Sequence, residues 1–254
     1  SNYSIKILNF LGVKTEFCEN NLIVNANEVK NKRINKELTG ELRSSVFLLG
    51  ALLGRNKYAE LSFPGGCDIG ERPIDLHINS LKKLGCKIEN DYCNIVAKCD
   101  KIKKEKIFLK YPSVGATENI ILASTLSSSK VEIVNPAKEP EIIDLCDFLN
   151  SLGAKINYNE RNAIIIEGVS KLHGGVYTPI SDRIEAGTYL IASAITGGEI
   201  EVRNISSKNI FPLLNKLCDN ACKISIYNDI IYLKGAGYKK CFSVETLPYP
   251  GFPT

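Results

Sequence analysis

The sequence predicts an α/β (α+β) fold, an inside-out α/β barrel of pseudo-symmetric βαβαββ-type units with sheets outside and helices within. Three observations predict it. An amphipathic helical pattern closing on lysine recurs about every seventy residues. A second helical pattern, apolar nearly all round, recurs in step with it. Short strand-like runs around polar turns follow the amphipathic pattern, and a single strand follows the apolar one.

The amphipathic pattern occupies residues 5–14, 76–87 and 143–155, with a weaker fourth copy at 213–223. Its closing lysines, Lys14, Lys87, Lys155 and Lys223, are spaced 73, 68 and 68 residues apart. Apolar residues at i, i+3 and i+4 define one helical face, and Gly12, Gly85 and Gly153 stand where a left-handed helix end is wanted. Two strands around a polar turn are expected after each copy, as at 87–96 and 154–167. The all-apolar pattern covers 41–53, 116–126 and 184–195, with small residues along one side. A helix apolar on every face is buried, so residues 46–53, 120–126 and 189–195 are expected in a helical interior. Strands are expected at 58–62, 131–134 and 199–203. The first unit lacks its opening elements and the last its closing ones, so the chain reads as cut within a unit at each end.

Composition excludes several classes. Lys and Arg total 32 against 28 Asp and Glu, a net charge of +4 with no basic stripe, so nucleic acid is not an expected partner. No stretch of about 18 apolar residues occurs, and no signal-peptide pattern opens the chain. Nine cysteines without a Cys-x-x-Cys pair, and only His77 and His173 beside them, argue against a zinc site and for reduced thiols in the cytoplasm. Cys18, Cys86, Cys93, Cys146, Cys218, Cys222 and Cys241 read as small apolar residues of core or surface. No methionine occurs, which fits a processed fragment or a sequence from which modified methionines are missing.

Three segments carry residues suited to chemistry. Residues 61–77 join a strand to an amphipathic helix through Pro64, Gly65, Gly66 and Gly70, with the thiol of Cys67 in mid-loop and Arg72 near the helix start. Glycine there lets backbone approach a ligand, and a thiol among cations can act as acid or nucleophile; an exposed loop with an incidental cysteine is the plainer alternative. Residues 111–117 place Ser113 and free amides at a helix start, suited to a diphosphate or a pyrimidine edge, or to an ordinary serine N-cap. Arg43 and the run Asp182, Arg183, Glu185 put charge on otherwise buried helices, where a salt bridge from Asp182 or Glu185 to Arg183 competes with a ligand role. Glu139 and Glu141 read as the acidic start of a helix.

Together these motifs resemble the family of UDP-N-acetylglucosamine enolpyruvyl transferases. Pro64-Gly-Gly-Cys-Asp-Ile-Gly-Glu-Arg-Pro-Ile-Asp-Leu-His77 resembles that family's lid loop. Ser113-Val-Gly-Ala-Thr117, Glu139-Pro-Glu-Ile142, Asp182-Arg-Ile-Glu-Ala-Gly-Thr188 and Phe252-Pro-Thr254 resemble its other motifs in order and spacing. The resemblance implies two domains of three pseudo-symmetric units each, residues 1–181 belonging to the first, its N-terminal part missing, and 182–254 to part of the second. It implies transfer of the enolpyruvyl group of phosphoenolpyruvate to the 3′-hydroxyl of UDP-N-acetylglucosamine, with release of phosphate and no metal or organic cofactor. This is the first committed step of peptidoglycan synthesis, carried out by a cytoplasmic, monomeric enzyme.

By the same resemblance Cys67 would donate a proton and form an adduct with phosphoenolpyruvate, and Arg72 would neutralise phosphate. The run Arg72, Pro73, Ile74, Asp75 and Leu76 would contact the nucleotide. Tyr111, Pro112, Ser113, Val114 and Gly115 would hold the uridine and its phosphates, with Arg43 near the sugar nucleotide. The family's Lys-Asn pair for phosphoenolpyruvate, the aspartate after Phe-Pro-Thr and later arginines are not in this sequence, and Tyr111 stands where many relatives carry Lys. The 254 residues alone are therefore expected to be inactive. The rival enzyme, the shikimate-pathway enolpyruvyl transferase, lacks the Gly-Gly-Cys loop; the rival of another class is a non-catalytic paralogue that binds a UDP-sugar or a partner.

Overall fold

The computed structural model of the chain describes residues 2–65, 73–91, 93–237 and 243–252. Helix α1 (Asn2–Phe10) leads into the hairpin β1 (Lys14–Cys18) and β2 (Asn21–Asn25). After α2 (Lys36–Thr39), a 3-10 turn (Arg43–Phe47) runs straight into α3 (Leu48–Asn56), followed by β3 (Tyr58–Ser62), α4 (Asp75–Lys83), β4 (Lys87–Asn90) and β5 (Asn94–Lys98). Next come β6 (Glu105–Phe108), α5 (Val114–Thr125), β7 (Lys130–Val134), α6 (Pro140–Ser151), β8 (Lys155–Tyr158) and β9 (Ile164–Glu167). The last set is α7 (Arg183–Thr196), β10 (Glu199–Arg203), a 3-10 turn (Ser207–Ile210), α8 (Phe211–Asp219), β11 (Lys223–Tyr227) and β12 (Ile230–Lys234).

The repeat seen in the sequence is a strand, a helix and a hairpin. It occurs as β3-α4-β4-β5, β7-α6-β8-β9 and β10-α8-β11-β12, and in each sheet the last strand lies between the other two. The four closing lysines each open the first hairpin strand, opposite Asn25, Lys98, Glu167 and Lys234 respectively. Among these strands all pairings are antiparallel except β6 with β7, where β6 extends the second sheet in parallel. Gly12, Gly85 and Gly153 have φ of 90°, 97° and 95°, the left-handed conformation expected from their positions.

The chain divides into two compact units, Ser1–Pro136 with Leu145–Val176, and Ala137–Asp144 with Tyr177–Thr254. In the first, α3 and α5 form the interior and the sheets lie outside. The two helices pack closely because Gly50 and Gly54 face α5. A Cβ on Gly50 would come 2.5 Å from the Asn119 carbonyl oxygen, and one on Gly54 2.6 Å from that of Leu122. Leu49, Leu53, Ile120 and Ile121 are wholly buried, and the expected interior over 46–53 and 120–126 is present, its first turn being 3-10.

The expectation for 189–195 is corrected. Helix α7 buries Ala186, Leu190 and Ala194 against Ile205, Leu214, Ile231 and Leu233, but Tyr189, Ile191 and Ile195 are exposed. All-round apolarity states that a helix wants cover on every face; among the described residues of its unit, cover lies on one side.

Candidate active site

Three segments far apart in sequence meet around His77. The 3-10 turn supplies Arg43, Val46 and Phe47, the first turn of α4 supplies Asp75 and His77, and the start of α5 supplies Ser113 to Asn119. Asn119, wholly buried, ties them together. Its Oδ1 accepts from Gly50 N at 2.6 Å, and its Nδ2 donates to Val46 O at 3.0 Å and lies 2.7 Å from His77 Nδ1. The outer edge of the imidazole lies against Gly115, where an added Cβ would stand 2.8 Å from His77 Cε1 and 3.0 Å from Phe47 Cε1. Glycine at 115 is thus fixed by close approach.

The electrostatics follow from this packing. Burial, first, and the nearby Arg43 guanidinium, second, lower the His77 pKa to about 4, with Asp75 opposing. At neutral pH the ring is uncharged. Arg43 is half-buried, and its charge acts on His77 in the first turn of α4.

At the start of α5, Ser113 is the N-cap: its Oγ accepts from Ala116 N at 3.3 Å, and Thr117 Oγ1 donates to Ser113 O at 2.8 Å. The serine N-cap alternative therefore holds structurally. It does not compete with ligand binding in principle, because a hydroxyl that accepts keeps its own hydrogen to donate and a side-chain cap satisfies only part of a helix's first N–H groups. Tyr111 is exposed, while Pro112, Ser113, Val114 and Gly115 are half-buried. On the other rim, Pro73 and Asp75 are exposed, Leu76 is half-buried and Ile74 is buried as an anchor of α4.

Cys67 and Arg72 lie outside the described residues, as do Cys241 and the closing Pro253 and Thr254. The root of the glycine loop is described. Gly65 N donates to Thr39 O at 3.1 Å, and a Cβ on Gly65 would stand 2.2 Å from Gly40 O, so backbone presses on backbone there. The loop is thereby rooted on the segment that leads to Arg43.

Elsewhere the charged motifs resolve differently. Asp182 caps α7, accepting from Ile184 N and Glu185 N. Arg183 pairs neither with Asp182 nor with Glu185: its Nε lies 2.9 Å from Glu141 Oε1, and its guanidinium carbon 5.6 Å from the Tyr249 ring centroid. Glu141 does stand in the first turn of α6, but as the acceptor of that ion pair as well. Among the described cysteines, Cys86, Cys99, Cys146 and Cys222 are buried and Cys18, Cys93 and Cys218 exposed. No group of three or more His, Cys, Asp or Glu among the described residues could hold a metal, and no described helix is long and apolar enough to cross a membrane.

Sequence reasoning missed His77 and Asn119 as site residues. The available signal was Asn119 itself, an amide in a helix apolar on every face.

Comparison with known proteins gives a consistent result. The family model described as EPSP synthase (3-phosphoshikimate 1-carboxyvinyltransferase) matches residues 1–254. The chain is 50% identical over 253 residues to UDP-N-acetylglucosamine 1-carboxyvinyltransferase 2 of Caldanaerobacter subterraneus subsp. tengcongensis, covering 98% of this chain and 60% of that protein. It is 43% identical over 256 residues to UDP-N-acetylglucosamine 1-carboxyvinyltransferase of Finegoldia magna, with the same coverage of 98% and 60%. The chain thus spans about 60% of the length of these curated relatives. Among solved structures, the enolpyruvyl transferase NikO from Streptomyces tendae superposes with a TM-score of 0.76 at 19% identity, covering 92% of this chain and 57% of that one. EPSP synthase from Acinetobacter baumannii gives 0.68 at 15%, covering 93% and 56%. Both likenesses establish the fold.

Proposed function

Because the chain belongs to the EPSP synthase family, we propose that the protein it forms part of is an enolpyruvyl transferase acting on UDP-N-acetylglucosamine. It moves the enolpyruvyl group of phosphoenolpyruvate onto the sugar 3′-hydroxyl and releases phosphate. In the cell this is a cytoplasmic step at the head of peptidoglycan synthesis, and so of cell-wall growth, cell shape and division. The protein works as a monomer on small-molecule substrates. Residues 1–181 belong to its first domain and 182–254 to its second; a division into compact units near Val176 supports that boundary.

The observation that carries the reading is the convergence of Arg43, the Asp75 end of α4 and the Ser113 end of α5 around one buried imidazole. A cation beside an amide-rich helix start suits a nucleotide diphosphate. In this reading Pro73, Ile74, Asp75 and Leu76 border the nucleotide on one side, and Tyr111, Pro112, Ser113, Val114 and Gly115 on the other. Tyr111, exposed at the rim, offers its ring edge where a lysine would offer charge.

The chemistry falls to the loop. Cys67 protonates the methylene carbon of phosphoenolpyruvate while the sugar oxygen, giving its hydroxyl proton to a carboxylate base of the longer protein, bonds to the adjacent carbon, giving a tetrahedral ketal. Loss of a methyl proton and of phosphate, whose charge Arg72 balances, then regenerates the double bond on the sugar. Titration calorimetry with UDP-N-acetylglucosamine and phosphate-release kinetics on the full-length protein test the reading. Saturable nucleotide binding and turnover dependent on both substrates are expected; binding of shikimate 3-phosphate in place of the nucleotide would overturn it.

A further inference from the structure

Both donor hydrogens of the Asn119 amide are engaged. A backbone N–H from Gly50 holds Oδ1, so the group cannot flip without setting N–H against N–H. Its two hydrogens go to Val46 O and His77 Nδ1. His77 Nδ1 must therefore accept, and the proton of the neutral ring sits on Nε2, the edge that lies along Gly115. A second proton on Nδ1 would face the Asn119 amide hydrogens and lie close to Arg43.

We propose that His77 and Asn119 are positioning residues of the nucleotide site, acting as one hydrogen-bonded pair that requires the uncharged Nε2–H form of the imidazole. The pair sets the spacing between the Arg43 turn, the start of α4 and the start of α5, which come together from positions 42 to 73 residues apart in sequence. It rests on the reading that this face binds UDP-N-acetylglucosamine. The physical ground is that small displacements of positioning groups cost a ligand site far more than they cost the fold.

Among the described residues, the charged groups acting on the ring are Arg43 from the 3-10 turn and Asp75 from its own helix; α5 sets the uncharged Asn119 and Gly115 against it. This allows a test that separates positioning from bulk stability. In the full-length protein, calorimetry with UDP-N-acetylglucosamine is run between about pH 5.5 and 7.5 on the parent, His77→Leu, His77→Asn and Asn119→Asp. The parent affinity should show no titration in that range. His77→Leu should weaken binding about tenfold or more, while the KM for phosphoenolpyruvate stays within about twofold. His77→Asn, whose Oδ1 takes the place of Nδ1 as acceptor, should recover most of the loss. Asn119→Asp should add a pH dependence absent from the parent. Its carboxylate selects the imidazolium at low pH and opposes the Nδ1 lone pair at high pH, so affinity should fall as pH rises.

If the parent binds and His77→Leu binds equally well, or Asn119→Asp stays flat with pH, the positioning role is wrong and the functional reading stands. If the parent does not bind the nucleotide, both fall. Should the buried substitutions fail to fold, nitrogen-15 chemical shifts of His77 in the parent decide: a protonated Nδ1 at pH 5.5 overturns the proposal.

Discussion

His77 couples the site to solution pH through stability as well as binding. Its folded pKa of about 4 lies below the ordinary histidine value of 6.5. Between those values the unfolded chain binds a proton that the folded chain does not, so stability is complete above the unfolded pKa and is lost as pH falls toward the folded one. The full effect corresponds to about 3 kcal/mol. Urea denaturation at pH 7 and at pH 4.5 should show most of that loss in the parent and a smaller one in His77→Asn, which has no imidazole to charge. Equal losses would assign the acid sensitivity to other groups. Cys67 carries the other prediction at this scale. Fosfomycin, an epoxide that mimics phosphoenolpyruvate, should label it in preference to the other cysteines, faster with UDP-N-acetylglucosamine bound. Cys86, Cys99, Cys146 and Cys222 are buried, and burial pushes the Cys146 thiol up to about 11, leaving it a poor nucleophile. Among the described residues, the exposed Cys18, Cys93 and Cys218 are the internal competitors. Cys67→Ala should abolish labelling, and Cys67→Asp should resist it while keeping some turnover, since a carboxylic acid also donates a proton. Peptide mapping that finds the adduct on Cys18 or Cys93, or no effect of nucleotide, would remove the assigned role.

Among the elements, one helix ending recurs four times with the same hydrogen bonds. Val13, Cys86, Ala154 and Cys222 each donate their N–H five residues back, to Leu8, Leu81, Leu149 and Leu217. Gly12, Gly85, Gly153 and Ala221 each donate three residues back, to Asn9, Lys82, Asn150 and Cys218. This is the Schellman ending, which needs a left-handed residue, and the fourth copy supplies alanine at φ 64°. Ala221→Gly relieves that backbone strain at some cost in unfolded-chain entropy, and should stabilise the protein by about 0.5–1 kcal/mol. Gly85→Ala should do the reverse, since its Cβ would also stand 3.0 Å from the Lys103 side chain. Chemical denaturation of both variants checks the pair, and a destabilised Ala221→Gly would mean that the strain lies elsewhere. This ending also explains what was legible in advance. Helix ends, hairpin starts and their period could be read because each is local, set by a glycine, a lysine and a 3.6-residue apolar rhythm within about a dozen residues. The Asn119 network could not, because its partners lie 42, 69 and 73 residues away and no local pattern links an amide to a distant imidazole. Arg183 failed for a related reason: adjacent acids seemed its natural partners, yet Asp182 was already engaged as a cap and Glu141, 42 residues away, took the pair.

For the whole molecule the informative surface is the second face of α7. Ile184, Ile191 and Ile195 lie at i, i+7 and i+11, and are 48%, 40% and 62% exposed. Such a stripe is a helical core face without its neighbour. It continues into a cavity lined by Arg183, Gly187, Thr188, Leu213, Tyr249 and Phe252 within the same unit. The curated relatives are longer than this chain, which spans about 60% of them. Further repeats of the same strand-helix-hairpin unit would supply the missing cover. The 254-residue chain on its own should therefore self-associate and bind an apolar dye. It should also release no phosphate from phosphoenolpyruvate and UDP-N-acetylglucosamine, as expected from the motifs the sequence does not contain. Replacing Ile191 and Ile195 together by lysine should disperse the 254-residue chain, since neither contributes to the core that Leu190 and Ala194 share with Ile231 and Leu233. In the full-length protein the same two lysines should place charge inside a helical interior, and cost several kcal/mol of stability. Sedimentation of the short chain and denaturation of the long one give opposite signs for one double substitution. If the lysines are harmless in the full-length protein, this face is an outer surface there as well, and the second domain is not built around α7.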